Sequence, residues 1–175
     1  AGALGQPQFL PSKFLLFAVD FDRDGERDIW NSVPDTLASI ANFLRANGWR
    51  PGRDWGFEAV VPDSVSCALE GPEQGRPVAG WIGKGVTRIG GRPFPQSERE
   101  QTGYLLMPAG RLGPAFIATP NFYVLKSFNE SDLYALFIGH LADRFTYDRP
   151  FRAAWKPVGG FYREDVRRMQ LRLER

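Results

Sequence analysis

The chain is poor in the two side chains that most often build metal sites and nucleophilic centres. Its 175 residues include one cysteine and one histidine. Because Cys67 is alone, an internal disulfide and a metal site built from cysteines are both excluded. Any Ser–His or Cys–His pair would have to use His140, and a lone histidine on a helix is typical of a packed or solvated side chain. Catalysis by a nucleophile–histidine–carboxylate triad is therefore not expected.

Net charge and long hydrophobic runs are also scarce. The 22 Lys and Arg against 20 Asp and Glu leave a formal charge of +2, which is too small to indicate a nucleic-acid partner. No apolar run approaches the roughly 20 residues that span a bilayer, and no signal peptide precedes Ala1. We expect no transmembrane segment, and a chain that is either cytoplasmic or a mature fragment. The hydrophobic content of 43% indicates a folded protein with one core or two small ones.

Residues 18–31 are the most informative stretch, because several carboxylates crowd around one glycine. If Asp20 is the first position of a twelve-residue loop, oxygen ligands fall at positions one, three, five, seven and twelve, namely Asp20, Asp22, Asp24, Glu26 and Asn31. Gly25 then falls at position six, where an EF-hand loop turns sharply. The spacing predicts a structural calcium site in which Glu26 contributes its backbone carbonyl. Because Asn31 replaces a bidentate Glu, the predicted affinity is modest, and the alternative is a solvated acidic turn.

Helical patterns flank this loop on both sides. A short helix is predicted over residues 7–19, with Pro11 in its first turn and Phe14, Phe17 and Ala18 on one face. After the loop, an amphipathic helix is predicted to begin at Val33 and to stop at Gly48. Its expected buried stripe consists of Leu37, Ile40, Ala41 and Leu44. The local order is therefore helix, calcium-type loop, helix.

The pattern changes from Trp49 to about Phe128, where glycine and proline recur every few residues. This is typical of a small sheet with long loops. Short apolar runs predict its strands at residues 57–61, 104–107, 116–119 and 122–125. The run from Gly71 to Glu100 has weak patterning, and we expect it to wrap around the surface.

Helical periodicity returns at Ser131, which is predicted to cap a helix that extends to about Phe145. Its expected buried stripe consists of Leu133, Leu136, Phe137, His140 and Leu141. Residues 146–160 are rich in proline, glycine and aromatics and are predicted to be a linker. A last helix is predicted from Arg163 to Arg175, and it leaves several apolar side chains without a later segment to bury them, namely Val166, Met169, Leu171 and Leu173.

Three segments together resemble the membrane-bound lytic murein transglycosylase B family of bacterial cell-wall enzymes. The first is Ala-Gly-Ala-Leu-Gly-Gln-Pro-Gln-Phe-Leu-Pro-Ser at residues 1–12. The second is the acidic loop followed by Asp-Thr-Leu-Ala-Ser-Ile-Ala-Asn-Phe-Leu-Arg-Ala-Asn-Gly-Trp at residues 35–49. The third is Thr-Pro-Asn-Phe-Tyr-Val-Leu-Lys-Ser-Phe-Asn at residues 119–129, followed by Tyr-Ala-Leu-Phe-Ile-Gly-His-Leu-Ala-Asp at 134–143. Their order and separation resemble the family across residues 1–145.

The resemblance implies an α+β fold, in which part of a lysozyme-like helical core carries an EF-hand-like loop and an inserted small antiparallel β subdomain. Residues 1–145 would be the C-terminal portion of the catalytic domain. Within it, 1–48 would form the helix, calcium loop and helix, 49–128 the β subdomain and 131–145 a core helix. Residues 146–160 would be the linker. Residues 161–175 resemble the truncated start of a peptidoglycan-binding domain.

The resemblance also implies an activity. The family cleaves the MurNAc–GlcNAc bond of peptidoglycan without water, and the 6-hydroxyl of the sugar attacks to leave 1,6-anhydromuramic acid. One Glu, kept protonated by an apolar pocket, acts first as general acid and then as base. In the family this Glu lies well before the first motif, and no carboxylate here has an evident apolar pocket. We therefore expect no catalytic residue in this chain, and the chain alone is predicted to be inactive.

Matching the motifs residue by residue implies a set of substrate-binding side chains, namely Gln8, Asn42, Phe43, Asn121, Phe122 and Tyr123. Gln8 matches a glutamine that hydrogen-bonds the N-acetyl group of the substrate, and the alternative is an ordinary polar residue at a helix start. Phe43 stands where the family typically has Tyr, and it would keep a face for stacking on a sugar. The alternatives are a buried aromatic at Phe43 and plain strand residues at 121–123. Tyr134 is expected to lie in the core.

The leading hypothesis is a lytic transglycosylase fragment from the periplasm or the bacterial cell envelope. Its expected partner is the peptidoglycan glycan strand, its expected ion a structural calcium, and no organic cofactor is expected. We expect a monomer. The alternative is a non-catalytic peptidoglycan- or carbohydrate-binding module with a structural calcium site. A calcium sensor is disfavoured, because sensor loops normally come in pairs and only one is present.

Overall fold

A computed structural model describes residues 2–157, 160 and 162–173. It contains α-helices α1 to α6, at Pro11–Phe17, Val33–Ala46, Val78–Gly83, Pro120–Phe128, Asp132–Thr146 and Arg163–Leu173. Its strands β1 to β5 are Gly56–Val60, Arg76–Pro77, Thr87–Arg88, Thr102–Leu106 and Ala115–Ala118. The predicted mixture of helices and antiparallel strands is confirmed, since β1 pairs with β3, β2 with β4 and β4 with β5, all antiparallel.

The chain divides into two compact units. Ala1–Gly56 and Thr119–Thr146 form the helical unit, which holds α1, α2, α4 and α5. Phe57–Ala118 and Tyr147–Arg175 form the sheet unit, whose strands lie in the order β2-β4-β5-β1-β3. The second unit begins inside β1 and resumes after α5, so the helical unit is assembled from two separate stretches of sequence.

The core of the helical unit is largely aromatic. Phe9, Ala18, Ile29 and Phe43 are buried in it. The Phe43 ring lies 5.9 Å from that of Phe9 and 5.2 Å, edge-on, from that of Phe128. Such edge-to-face and tilted arrangements are favourable for aromatic pairs. The ring cluster therefore joins the first motif, α2 and the end of α4.

Helix α2 forms as expected, but the stripe predicted to be buried on it is confirmed only in part: Leu44 packs against the core and Ile40 is half-buried, whereas Ala41 is exposed. Leu37 is 62% exposed, whereas Thr36, Ser39 and Phe43 are buried. Polar side chains at the helix start decide this orientation: the Ser32 hydroxyl accepts from the Asp35 backbone N–H at 3.3 Å, and the Ser39 hydroxyl accepts from the Val19 N–H at 3.0 Å. Hydrophobicity alone therefore identified only part of the buried face of α2.

Residues 122–125, predicted to be a strand, lie inside helix α4. The Thr119 hydroxyl accepts from the Asn121 N–H at 3.2 Å, and Pro120 occupies the first turn. Both features start helices. A short apolar run has no period that separates a strand from a buried helix turn, which explains the error. The last strand of the sheet in the described residues is therefore β5, which ends at Ala118.

Helix α5 begins where predicted, but a glycine lies at the centre of its buried face. The Ser131 hydroxyl accepts from the Tyr134 N–H at 3.3 Å. Ala135, Leu136 and Gly139 are buried, whereas Leu133, Phe137 and Leu141 of the predicted stripe are exposed and His140 is half-buried. A Cβ on Gly139 would lie 2.8 Å from the Trp55 ring, so the absent side chain makes room for this indole.

The sheet unit has its own core, and the segment expected to wrap the surface supplies much of it. Val78, Trp81, Val86 and Phe94 are all buried. The Trp81 indole N–H donates to the Gly103 carbonyl of β4 at 2.9 Å. The prediction for residues 71–100 was wrong because glycine and proline interrupt the periodicity without preventing burial of the apolar residues between them.

The segment predicted as a linker lies along the sheet unit as far as it is described. The backbone N–H groups of Arg152 and Ala153 donate to the Glu58 carboxylate, and the Phe151 ring lies 5.0 Å from that of Phe116. Residues 158, 159 and 161 of the predicted linker and terminal domain lie outside the described residues.

Helix α6 is confirmed at Arg163–Leu173, with Val166, Met169 and Leu171 exposed. The side chain of Leu173 and the predicted last two helical residues, 174 and 175, fall outside the described part. No described helix is both long and apolar enough to span a membrane.

Candidate functional site

A cleft of about 350 Å³ opens on the helical unit. Amide, aromatic and aliphatic side chains line it, namely Gln6, Pro7, Gln8, Ile40, Phe128, Asn129 and Tyr134. None of these lining residues is acidic. The site can therefore offer hydrogen-bond donors, acceptors and flat apolar surface to a neutral polar ligand.

Gln8 is held in this cleft in a strained backbone conformation. Its φ of +54° lies in the left-handed region, which non-glycine residues rarely adopt. A two-way bridge between Leu4 and Phe9 closes the turn, and the Gly5 carbonyl accepts both the backbone N–H and the side-chain Nε2–H of Gln8. Strain of this kind persists where the surroundings impose it, and it is concentrated at functional sites. The predicted site residue Gln8 therefore lies in the cleft in an unusual and well-held geometry.

The turn that carries Gln8 is bonded to the far end of the acidic loop. The Gln6 backbone N–H donates to the Ile29 carbonyl at 2.9 Å, and its side-chain Nε2–H donates to the Trp30 carbonyl at 2.9 Å. Gly5 is required at this contact, since a Cβ there would lie 2.6 Å from the Ile29 carbonyl oxygen. Movement of residues 29 and 30 would thus be transmitted to the cleft.

The acidic loop gathers three carboxylates. Ligand oxygens of Asp20, Asp22 and Asp35 lie within 4.8 Å of one another. The Asp20 carboxylate also accepts the backbone N–H groups of Arg23 and Gly25, at 2.6 and 3.0 Å. These bonds fold the loop back so that like charges meet, an arrangement that a cation would stabilise.

Asp35 is the member of this group that the sequence did not single out as a ligand. It is fully buried, and its two carboxylate oxygens accept from the Phe21 N–H at 2.7 Å and the Asp28 N–H at 2.9 Å. Since residues 21 and 28 lie on opposite arms of the loop, one carboxylate holds both arms against the start of α2. Asp35 lies in the first turn of α2, where an acidic residue is common in any helix, so its position in the sequence does not indicate a ligand.

The remaining predicted ligands differ in placement. Asp24 is exposed, lies outside the group of three, and accepts from the Glu26 backbone N–H at 2.8 Å. The Asn31 amide N–H₂ donates to the Asp28 carboxylate at 3.1 Å. Backbone N–H donors of Asn31 and Trp30 lower the pKa of Asp28 below its ordinary value. The third side chain beside Asp20 and Asp22 is thus Asp35, and Asn31 is instead bonded to Asp28.

Phe43 and Asn42 both support the fold. The Phe43 ring is only 2% exposed, so it has no free face on which a sugar could stack, and that prediction is corrected. Asn42 donates to the Phe17 carbonyl at 3.0 Å and accepts from Arg45 at 3.1 Å. A buried aromatic and a sugar platform have the same spacing on a helix, so periodicity could not separate them.

The predicted residues of α4 also lie away from the lining of the cleft. Asn121 is fully buried: its Oδ1 accepts from the Arg50 N–H at 2.8 Å, and its Nδ2 donates to the carbonyls of Arg50 and Arg53. Phe122 is fully buried 6.2 Å from the Trp55 ring, and Tyr123 is half-buried. These contacts tie α4 to residues 50–55, so the buried pair holds the unit together, contrary to the substrate-binding prediction.

Three residues that line the cleft opposite the Gln8 turn were not predicted as site residues from the sequence. Phe128 and Asn129 end the third motif, and Tyr134, expected in the core, is 36% exposed and lines the cleft. The available signal was the end of that motif, where α4 stops and an amide and an aromatic follow within six residues. Polar and aromatic residues at a helix end are more often presented at a surface than those in its interior.

A model of the transglycosylase SLT domain family matches residues 1–143. The chain belongs to this family. The match covers the three motifs on which the resemblance was based, so that resemblance is confirmed. It covers the cleft, the acidic loop and the sheet strands alike.

Known transglycosylases are similar to this chain in sequence and in fold. The chain is 29% identical over 145 residues to membrane-bound lytic murein transglycosylase B of Escherichia coli (strain K12), an alignment that covers 81% of the chain and 37% of the relative. It is similar to SltB3 from Pseudomonas aeruginosa, solved in complex with NAG-anhNAM-pentapeptide, at 42% identity and a TM-score of 0.84 over 91% of this chain and 42% of that one. It is also similar to Slt35 of Escherichia coli in complex with calcium, at 28% identity and a TM-score of 0.69 over 85% and 46%. The chain thus spans less than half the length of these relatives.

Proposed function

We propose that this chain is part of a lytic murein transglycosylase and that its cleft forms one wall of the glycan-binding site. The observation that carries the proposal is Gln8, a strained residue held in a cleft beside a second amide, Asn129, and an aromatic, Tyr134. N-acetylated sugars present amide groups and flat apolar faces, which amides and aromatic rings complement. Peptidoglycan strands are the proposed substrate, and the bacterial cell envelope is the proposed location.

The proposed reaction cleaves the MurNAc–GlcNAc bond without water and leaves a 1,6-anhydro ring. The general acid that protonates the leaving oxygen must be a carboxylic acid near the bond. Since none of the residues that line the cleft is acidic, we place this acid in a part of the parent enzyme outside these 175 residues. The role of this chain is to bind and orient the sugar: the Gln8 amide meets the N-acetyl group, and Phe128 and Tyr134 supply apolar surface. The 175-residue chain alone is then inactive, and anhydromuropeptide release by it would overturn the placement of the acid.

We further propose that the acidic loop holds a structural calcium ion. Asp20, Asp22 and Asp35 supply hard carboxylate oxygens within reach of one another, and this donor set suits Ca²⁺. The ion would neutralise the crowded charges and fix the loop. Because Gln6 bonds to residues 29 and 30, a fixed loop supports the turn that carries Gln8.

The test of the glycan site is a titration of the 175-residue chain with a NAG-NAM-pentapeptide fragment. Binding is monitored by the shifts in ¹H–¹⁵N spectra at each ligand concentration. We expect saturable shifts at Gln6, Gln8, Asn129 and Tyr134. Gln8→Ala should weaken binding about tenfold, the loss expected when one hydrogen bond worth about 1.4 kcal/mol is removed. Gln96→Ala, at an exposed glutamine of the sheet unit, is the matched control and should leave binding unchanged.

Activity distinguishes the enzyme from the non-catalytic module. In the intact natural polypeptide that carries this chain, Gln8→Ala should lower kcat/KM for peptidoglycan, with anhydromuropeptides as the measured product. Shifts confined to other surfaces, or equal binding by the Gln8 variant and wild type, would contradict the proposed site. Tight binding by the intact polypeptide with no product would instead favour a carbohydrate-binding module.

A further inference from the structure

Lys13 of α1 occupies an unusual place for a lysine. It is partly buried, and its Nζ donates to the Ser127 carbonyl at 3.0 Å and to the Phe128 carbonyl at 3.4 Å. These are among the last carbonyls of α4, which have no partner inside their own helix. Lys13 therefore caps the C-terminus of a helix that begins more than a hundred residues later in the chain. A cation at this end is also favoured by the helix dipole.

Two aromatic rings lie close to the same ammonium group. Nζ lies 4.8 Å from the centroid of the Phe43 ring and 5.8 Å from that of Phe128. A cation within about 6 Å of a ring face is attracted to it, and the attraction grows as water is excluded. Two carbonyls and two rings thus converge on one charged atom.

The lysine in the last turn of α4 itself does not perform this task. Lys126 forms an ion pair with Asp132 at 2.7 Å, at the start of α5. The capping cation for residues 127 and 128 therefore comes from another element, and α1 supplies it.

This contact reaches the cleft on both sides. Phe128, at the end of the capped turn, and Asn129, directly after it, both line the cleft. Lys13 itself follows the Gln8 turn by five residues, and Phe9 of that turn lies 5.6 Å from the Phe128 ring. We propose that Lys13 is a positioning residue that holds Phe128 and Asn129 in the cleft wall that also carries Gln8. The glycan as ligand rests on the proposed function; the positioning of the wall does not.

The test uses the full 175-residue chain and the substitution Lys13→Met, which keeps the length of the stem and removes both the charge and the donors. Without ligand, the amide resonances of Phe128 and Asn129 should shift well beyond the measurement error. With the NAG-NAM-pentapeptide fragment, the dissociation constant should rise about tenfold. Lys13→Arg, which keeps a cation and donors, should recover most of the affinity.

Two control variants separate positioning from general destabilisation. Lys84→Met makes the same change at an exposed lysine of the sheet unit and should alter neither readout. Gly139→Ala strains the helical unit against Trp55, and neither of these residues lines the cleft, so it should lower the melting temperature without changing the dissociation constant. Equal loss of affinity in Gly139→Ala and Lys13→Met would reduce Lys13 to a stability role and overturn the proposal.

The failure of the two proposals can be told apart. If the wild-type chain binds no fragment, the proposed function fails, and the unliganded spectra still decide the role of Lys13. Unshifted Phe128 and Asn129 resonances in Lys13→Met overturn the positioning role, whatever the chain binds. An unchanged dissociation constant in Lys13→Met, with the fragment bound by wild type, overturns it as well.

Discussion

Replacement of Asp35 by Asn tests whether one buried carboxylate holds the acidic loop against α2. In the wild type both carboxylate oxygens accept a backbone N–H, from Phe21 at 2.7 Å and from Asp28 at 2.9 Å. An amide keeps one acceptor and turns an N–H₂ group toward the second donor, so one charge-assisted bond is lost and a buried N–H is left without an acceptor. A hydrogen bond to a charged group contributes about 1.5–3 kcal/mol, and an unsatisfied buried donor costs a similar amount. Neutralising Asp35 also relieves its repulsion from Asp20 and Asp22, which offsets part of this loss. We expect Asp35→Asn to lower the free energy of unfolding by a net amount of about 3 kcal/mol.

The assay is thermal unfolding followed by circular dichroism, with calcium and with chelator. For a chain of this size, about 3 kcal/mol corresponds to a fall in Tm of roughly 6–12 °C in chelator. Calcium should raise the Tm of the wild type, by mass action on the folded state, and should not raise that of Asp35→Asn. Asp24→Asn is the matched control: its exposed side chain lies outside the carboxylate group, so its Tm and its calcium response should follow the wild type.

Two results would refute this reasoning. If Asp35→Asn unfolds within about 1 °C of the wild type in chelator, the buried carboxylate does not hold the two arms of the loop. If Asp24→Asn loses the calcium response while Asp35→Asn retains it, the ligand set is the twelve-residue pattern of the sequence and not the group seen in the fold.

Further predictions concern packing and pH. Gly139→Ala places a methyl group against the Trp55 ring and should lower the free energy of unfolding in urea by about 1–3 kcal/mol. Gly83→Ala, where a Cβ meets nothing within 4 Å, should not lower it. Equal stability of the two variants would contradict the packing of Gly139 on Trp55. Phe43→Ala should cost about 3–5 kcal/mol, and a loss below about 1 kcal/mol would show that the ring is not core. Burial raises the pKa of Asp143, so stability falls as pH rises through that pKa. The amide oxygen of Asp143→Asn still accepts from the Trp55 indole, so this variant should have a higher Tm than the wild type near pH 7. The difference in Tm should vanish in acid, where both chains carry a neutral side chain at this position. A difference that is independent of pH would refute burial of the charge as its cause.

The elements with local signals could be predicted from the sequence. Helix α1, predicted over residues 7–19 and present at Pro11–Phe17, follows from its aromatic face, and α2 follows from Pro34 and the helical spacing after it. The strands predicted at 57–61, 104–107 and 116–119 from short apolar runs correspond to β1, β4 and β5, each within two residues. Each of these signals acts within a few residues, and local interactions suffice to decide them. The family resemblance was likewise readable, because it depends on the order of motifs and not on their packing.

The features that could not be predicted depend on partners distant in sequence. Leu37 is more apolar than Ser39, yet Ser39 is buried because its hydroxyl meets the Val19 N–H. Asn121 resembles a site residue in its motif, and only the fold shows that its amide is used by Arg50 and Arg53. A buried polar group must find such partners, and sequence spacing does not reveal which ones.

The same limit applies to the candidate site. Gln8 was identified from its motif, but its positive φ is imposed by the Leu4–Phe9 bridge and the Gly5 carbonyl. Phe128 and Asn129 enter the cleft because α4 is a helix that ends there, and the strand predicted over residues 122–125 concealed this. An error in one element thus removed two of the seven lining residues from the predicted site.

The hydrogen bonds from Gln6 to Ile29 and Trp30 connect the acidic loop to the cleft, so binding at the two proposed sites can be energetically coupled. Whatever factor calcium applies to the affinity for saccharide, the saccharide must apply to the affinity for calcium. If the acidic loop binds calcium and the cleft binds the glycan as proposed, and calcium raises the affinity for the glycan, the chain holds calcium more tightly when the glycan is bound than when it is absent.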